Sequence, residues 1–298
     1  MDLRVSIDLA PTRSYFSRRN INHAERSPTP AQHMRAFFWL HNQIEPVHFA
    51  VAAQVEGAIA IDAWKAGLSA LQHRHPLLMA SIKADANTAP CFLSNPGIPI
   101  PSRVVEGNAL QRLEAEVATE LATPFRDGDP LLVRAVLLHE KQRSIMVLVA
   151  HHSIADGPSL AYAIRDLLQL LSGETLSPLP IPPSHESLLG LEEEAGVGES
   201  RGKFFGTIAP LNPRFQELAP RVESLGIMPE LTGKLQEFAR QEHTSMHGAL
   251  ASSVVFAVRK LISVEARLRC VWPPLSAQEN SSIRATIVWC SPTLGYWS

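Results

Sequence analysis

One stretch of the chain combines a buried-strand pattern with a helical pattern. The run Ser144–Ala150 is short and almost wholly apolar, which indicates a buried strand. The pattern that follows predicts a helix with its N-cap at Gly157, Pro158 at the first helical position and an end at Gly173. Its apolar positions recur at helical spacing at Leu160, Ala161, Ile164, Leu167, Leu168 and Leu171. The segment His151–Gly157 therefore lies where a strand ends and a helix begins, a common place for chemistry in α/β sheets.

A second strand-like run precedes the first one. Leu131–Leu138 is apolar except for Arg134, and only the polar residues 139–143 separate it from the later strand, which predicts a hairpin. With the turn at the centre of that polar segment, Arg134 lies opposite Val149. Arg134 then shares a face of the sheet with His151.

The two adjacent histidines are predicted to point to opposite faces of the strand. In this register His152 faces away from Arg134, and a slip of one residue would reverse the assignment. An imidazole with a pKa of about 6.5 suits a general base at neutral pH, so His152 is the predicted base. Ser153 lies in no G-x-S-x-G turn, which assigns any nucleophile to the substrate. Arg134 needs a carboxylate within its apolar strand, and Asp156 is the nearest candidate for a buried brace.

The rest of the first half alternates between strand and helix patterns. The predicted elements are a helix or extended edge at Pro28–Trp39, strands at His48–Val55 and Leu77–Ile82, and helices at Ile61–His73 and Ala109–Leu121. The last of these helices has a predicted apolar stripe of Leu110, Leu113, Val117 and Leu121. With the hairpin, this order predicts an α/β (α+β) fold in which helices flank a mixed sheet.

Proline content and charge divide the chain into four segments. A polar N-terminal segment is predicted at 1–27, a first lobe at 28–174, a proline-rich and charged linker at 175–205 and a second lobe at 206–298. The second lobe is predicted to contain helices at Pro229–Gln241 and Ser245–Leu261 and strands at Leu268–Trp272 and Ile283–Trp289.

Composition narrows the class of protein. The 298 residues are 45% hydrophobic and 19% charged, which is typical of a globular protein. A net charge of −2 gives no indication of nucleic-acid binding. Three widely spaced cysteines, together with no predicted signal peptide or transmembrane segment, favour a reduced protein of the cytoplasm. These cysteines are Cys91, Cys270 and Cys290.

Several histidines have a simpler structural interpretation beside a catalytic one. His151 and His152 diverge on a strand and therefore cannot easily bind one metal ion, so no metal site is predicted. His75 precedes Pro76 at the end of a predicted helix, where a structural role is favoured. For His152 the local pattern alone leaves catalysis and an ordinary satisfied histidine equally open.

The heptapeptide His151–Gly157, H-H-x-x-x-D-G, resembles the signature of the condensation-domain superfamily. That superfamily includes condensation domains of peptide synthetases, chloramphenicol acetyltransferase-like enzymes and polyketide-associated alcohol acyltransferases. Three further segments resemble superfamily motifs in the expected order, namely Leu71–Leu78, Phe125–Arg134 and Ser245–Ala251. The resemblance covers roughly residues 28 to 262.

The resemblance implies a fold and a chemistry. The expected fold is a chloramphenicol acetyltransferase-like two-lobed sandwich, with the first lobe complete and the second partial. The expected reaction is acyl transfer from acyl-coenzyme A or an acyl carrier protein to a hydroxyl or amine, with no permanently bound cofactor. His152 maps to the superfamily's proposed catalytic histidine. The supporting residues are His151, Asp156, Gly157 and Arg134, with Asp156 in a structural pair with an arginine. A freestanding alcohol acyltransferase is favoured over a synthetase domain.

A second hypothesis is a degenerate or truncated member that binds partners without catalysing a reaction. The sequence contains no Asp-Phe-Gly, and the segment after Trp272 lacks the arginine expected there. The chain as given is therefore expected to be a weak acyltransferase or none, with an incomplete second lobe.

Overall fold

The computed structural model describes residues 29–30, 33–42, 46–83, 90–183, 188, 220–224, 228–261 and 285–286. In its first part, strand β1 (Thr29–Pro30) precedes helix α1 (His33–Asn42), strand β2 (His48–Glu56), helix α2 (Ile61–Arg74), a 3₁₀ turn at Pro76–Met79 and strands β3 (Ala80–Lys83) and β4 (Cys91–Ser94). Next come β5 (Ser102–Glu106), α3 (Ala109–Leu121), β6 (Val133–His139), β7 (Arg143–His151) and α4 (Gly157–Leu171). The last described elements are α5 (Pro229–Gln241), α6 (Met246–Leu261) and β8 (Ala285–Thr286).

Two sheets are present in the described residues. The larger has the order β5-β6-β7-β2-β8, in which β5 and β6 are parallel and the other neighbours are antiparallel. The smaller has the order β1-β4-β3, with antiparallel pairs. The predicted mixed sheet with flanking helices is therefore confirmed.

The hairpin register is the one that the sequence predicts. Arg134 pairs with Val149 across β6 and β7. The Phe125 ring contacts both the Arg134 guanidinium and the His151 ring, so these two side chains share a face. β2 continues the sheet on the other side of β7, where His48 pairs with His151 and Phe49 pairs with Ala150.

The core lies between this sheet and helices α2, α3 and α4. Residues 144–150 in β7 are all buried, as a strand covered on both faces requires. Gly67 of α2 lets α4 approach closely, because a Cβ there would lie 3.1 Å from the side chains of Leu167 and Leu171. α3 buries Leu113, Val117 and Leu121, but Leu110 is 48% exposed, so its assignment to the apolar stripe is wrong.

Two local predictions are also wrong. The α4 N-cap is Asp156 rather than Gly157, because a carboxylate can accept the backbone N–H of Ser159 and glycine has no side chain to do so. Residues Pro76–Met79 form a 3₁₀ turn, and the strand predicted from Leu77 begins only at Ala80.

Helices α5 and α6 belong to a second compact unit, distinct from the unit that contains both sheets. They match the two helices predicted in the second lobe to within one residue at each end. The predicted strand Leu268–Trp272 and most of the predicted linker lie outside the described residues. Among the helices that the structure describes, none has the length and apolar character needed to cross a bilayer.

Candidate active site

His152 lies immediately after the last residue of β7. Its backbone N–H donates to the Val47 carbonyl at 3.1 Å, which holds the chain against the start of β2. The imidazole is half-buried. Two aromatic rings pack against it, that of Phe38 from α1 at a centroid distance of 5.1 Å and that of Phe49 from β2 at 4.4 Å. Because Phe49 neighbours His48 on one strand, His152 and His151 lie on opposite faces of the sheet, as predicted.

The surroundings of His152 favour a neutral imidazole. Burial lowers its pKa from the usual 6.5, while the charge of Asp156 and a hydrogen bond to the backbone of Ala155 partly oppose that change. A hydrogen bond that raises the pKa of a histidine is one donated by the ring, so the lone pair is on the other ring nitrogen. His152 therefore combines a basic nitrogen with a nearby carboxylate that stabilises the imidazolium once a proton is taken.

Asp156→Asn should lower the pKa of His152 further, because asparagine retains the helix cap but removes the negative charge. Phe49→Ala should raise that pKa towards 6.5, because water reaches the ring. Both changes can be followed by NMR titration of the His152 imidazole, with the exposed Asp127→Asn as a charge-matched control. A raised pKa in Asp156→Asn would contradict the electrostatic role of Asp156.

His151 is enclosed and unsuited to proton transfer with a substrate. Its side chain is fully buried, with the rings of Trp39 and Phe125 at 5.6 and 6.1 Å. Burial lowers its pKa to about 3, so it stays neutral near pH 7. The Ser153 N–H donates to its Nδ1 at 3.0 Å, which ties the ring to the loop that carries His152.

The predicted brace between Arg134 and Asp156 is wrong. Arg134 Nε donates to Glu120 Oε2 of α3 at 2.8 Å, and its Nη2 donates to the carbonyls of Glu120 and Thr123. Its guanidinium also lies 4.2 Å from the centre of the Phe125 ring. Arg134 thus anchors α3 to the sheet on the face away from His152.

Asp156 performs a different task from the one predicted. Its Oδ1 accepts the Ser159 N–H at 2.8 Å and also the Ser159 hydroxyl. Gly157, the first residue of α4, is buried. The aspartate of the heptapeptide therefore starts the helix and places its charge near His152.

A cluster that the sequence analysis missed surrounds the buried carboxylate of Asp166 in α4. Its Oδ2 accepts a hydrogen bond from Arg74 Nε and lies 2.9 Å from His75 Nε2. Its Oδ1 accepts hydrogen bonds from two N–H groups of Arg165. Arg74 Nη1 also donates to the Ser177 carbonyl at 2.6 Å. His75 therefore has a structural environment, at the junction of α2, α4 and the segment after α4. Within the described residues, no three His, Cys, Asp or Glu side chains are arranged as metal ligands.

Comparisons with known proteins indicate one family. The model of the condensation-domain family matches residues 24–188, which include the heptapeptide and both flanking elements. The chain belongs to the condensation-domain family. It is 31% identical over 144 residues to nonribosomal peptide synthetase kk1B of Curvularia clavata, and 30% identical over 128 residues to tyrocidine synthase 3 of Brevibacillus parabrevis. These matches cover 45% and 43% of this chain but only 1% and 2% of the two synthetases.

The fold is also found among solved structures. The first condensation domain of the CDA synthetase aligns with a TM-score of 0.59 and 16% identity, over 80% of this condensation-family chain and 64% of that domain. The predicted α/β (α+β) fold of the chloramphenicol acetyltransferase-like class is therefore confirmed. At this identity the likeness concerns the fold alone.

Proposed function

We propose that this condensation-family chain transfers an acyl or peptidyl group from the phosphopantetheinyl thioester of one carrier protein to the amine of a substrate on another. Family membership and the synthetases among its relatives support the reaction class. The observation that carries the proposal is His152, a half-buried imidazole at the end of β7 whose pKa is lowered by burial. We propose His152 as the general base.

The proposed step needs no nucleophile from the protein. The acceptor nitrogen attacks the thioester carbon while the basic nitrogen of His152 takes one proton from the amine. A C–N bond forms and an oxyanion develops on the former carbonyl. When that oxyanion collapses, the C–S bond breaks and the imidazolium returns the proton to the leaving thiolate. The charge of Asp156 stabilises the imidazolium between these events.

In this proposal an amine acceptor replaces the alcohol that the sequence favoured, and a carrier protein is chosen as the donor where the sequence left acyl-coenzyme A and a carrier protein open. The named relatives are peptide synthetases, whose amide products require an amine. Acyl-coenzyme A with an alcohol becomes the competing reaction in the test.

We expect amide formation when the purified chain is mixed with an octanoyl carrier protein as donor and a phenylalanyl carrier protein as acceptor. Mass spectrometry of the intact carriers measures the transferred octanoyl group. A parallel reaction contains octanoyl-coenzyme A and octanol. Amide formation that exceeds ester formation at least tenfold supports the proposal.

Two results would overturn it. Faster ester formation from octanoyl-coenzyme A would favour the freestanding alcohol acyltransferase. Saturable carrier binding without transfer, in a chain whose circular dichroism shows a folded protein, would favour a member that binds partners and catalyses nothing.

A further inference from the structure

Two buried imidazoles belong to directly paired residues of neighbouring strands, next to the loop that carries His152. His48 of β2 pairs directly with His151 of β7, so their side chains lie next to each other on one face of the sheet. His48 is 4% exposed and His151 is fully buried. Neither side chain takes a direct part in the step proposed above.

Hydrogen bonds fix which nitrogen of His48 carries the proton. Its Nε2 lies 3.0 Å from the Leu121 carbonyl and 3.3 Å from the Glu120 carbonyl. A carbonyl oxygen only accepts, so Nε2 carries the hydrogen and Nδ1 is left as an acceptor. Burial and the nearby positive charge of Arg134 lower the pKa of His48 to about 4, which keeps this ring neutral near pH 7.

The hydrogen bonds of His151 likewise determine which of its ring nitrogens carries the hydrogen. Its Nδ1 accepts the Ser153 N–H at 3.0 Å, so the hydrogen of the neutral ring is on Nε2. Nε2 of His151 is therefore a donor, while Nδ1 of His48 is an acceptor. Among the described residues, both of these buried atoms lack a protein hydrogen-bond partner.

We propose that one buried water joins Nδ1 of His48 to Nε2 of His151, and that His48 is thereby a positioning residue for the His152 loop. A donor and an acceptor on directly paired residues supply the two partners that a buried water requires. The water accepts from His151 and donates to His48. Arg134, which is ion-paired with Glu120, and His152 are charged or titratable groups that act on the pair.

The consequence for the His152 loop follows from the state of His151. If the ring hydrogen of His151 moved from Nε2 to Nδ1, Nδ1 could no longer accept the Ser153 N–H. The hydrogen bond between His151 and Ser153 would then be lost. Ser153 also donates through its hydroxyl to the Arg35 carbonyl of α1 at 2.9 Å. His48 therefore acts through His151 on the loop between β7 and α4, and Ser153 ties that loop to α1, the helix whose Phe38 packs against His152.

The test compares His48→Gln with His48→Leu in the full chain. Glutamine offers one donor and one acceptor, as the neutral His48 ring does, whereas leucine offers neither. We expect ¹⁵N-histidine NMR to show one Nε2–H state of His151 in the wild type and in His48→Gln. In His48→Leu we expect a mixture of the two neutral states. The exposed His73→Leu serves as the control and should leave the His151 signals unchanged.

The measurement of transfer activity rests on the proposed function, whereas the NMR measurement of His151 does not. His48→Leu should lower kcat about 10- to 100-fold with KM unchanged, because the base is misplaced rather than removed. His48→Gln should restore most of that loss.

An Nδ1–H state of His151 in the wild type, or a pure Nε2–H state in His48→Leu, would overturn the proposal. If His48→Leu fails to fold, the wild type decides through a cross-peak between the His151 Nε2–H and a long-lived water, and absence of that cross-peak would overturn the proposal. Absence of transfer in every variant, with the expected NMR states, would count against the proposed function and support the water bridge.

Discussion

Replacing His152 with alanine should lower the rate of acyl transfer by about 10²- to 10⁴-fold, the usual cost of losing a general base. The imidazole is only half-buried, between Phe38 and Phe49, so its loss removes some packing but no fully buried side chain. The fold should therefore persist while kcat falls. The measurement is single-turnover transfer between carrier proteins, with circular dichroism to monitor folding.

Two control variants make this result specific to His152. His73→Ala removes an exposed imidazole from α2 and should retain the wild-type rate. His151→Ala opens a cavity in the core beside Trp39 and Phe125, so it should lower the free energy of unfolding as well as the rate. A wild-type rate in His152→Ala would eliminate His152 as the base, whatever the fate of the other variants.

The strand register could be predicted because a period of two and a short turn determine it. Arg134 lies opposite Val149, and from that pair the opposite faces of His151 and His152 follow. The 3₁₀ turn at Pro76–Met79 could not be separated from a strand in the same way. An apolar run of three or four residues fits either conformation, and Pro76 suits the start of a 3₁₀ turn.

The ion pairs could not be predicted by proximity along the chain. Asp156 is closer to the strand end, but Glu120 reaches Arg134 because α3 packs on the sheet. A signal was present in the sequence, since Glu120 lies three residues after Val117 and falls on the buried face of α3. Asp166 lies three residues after Ala163 in α4 and is buried in the same way. A carboxylate at an apolar position of a helix thus predicts a cationic partner from elsewhere in the fold.

Replacing Asp166 with asparagine should lower the free energy of unfolding by about 3 kcal/mol, the lower end of the cost of breaking a buried ion pair. The carboxylate is 1% exposed, whereas the side chains of Arg74 and Arg165 are 15% and 28% exposed and can be partly hydrated. Asparagine has nearly the same shape, so the loss reports the charge. Urea denaturation measures it, with Asp127→Asn as the exposed control.

The pH dependence separates this ion-pair effect from a packing defect. Hydrogen bonds from His75, Arg74 and Arg165 hold the pKa of Asp166 well below its usual range, against the opposing effect of burial. A lowered pKa in the folded state contributes stability that is complete above the pKa of the unfolded chain, about 3.9, and is lost as the pH falls towards the folded value. The difference between wild type and Asp166→Asn should therefore be constant from pH 5 to about 7 and shrink below about pH 4. A difference that stays the same down to pH 3 would assign the loss to packing and remove the charged cluster as the link between α2 and α4.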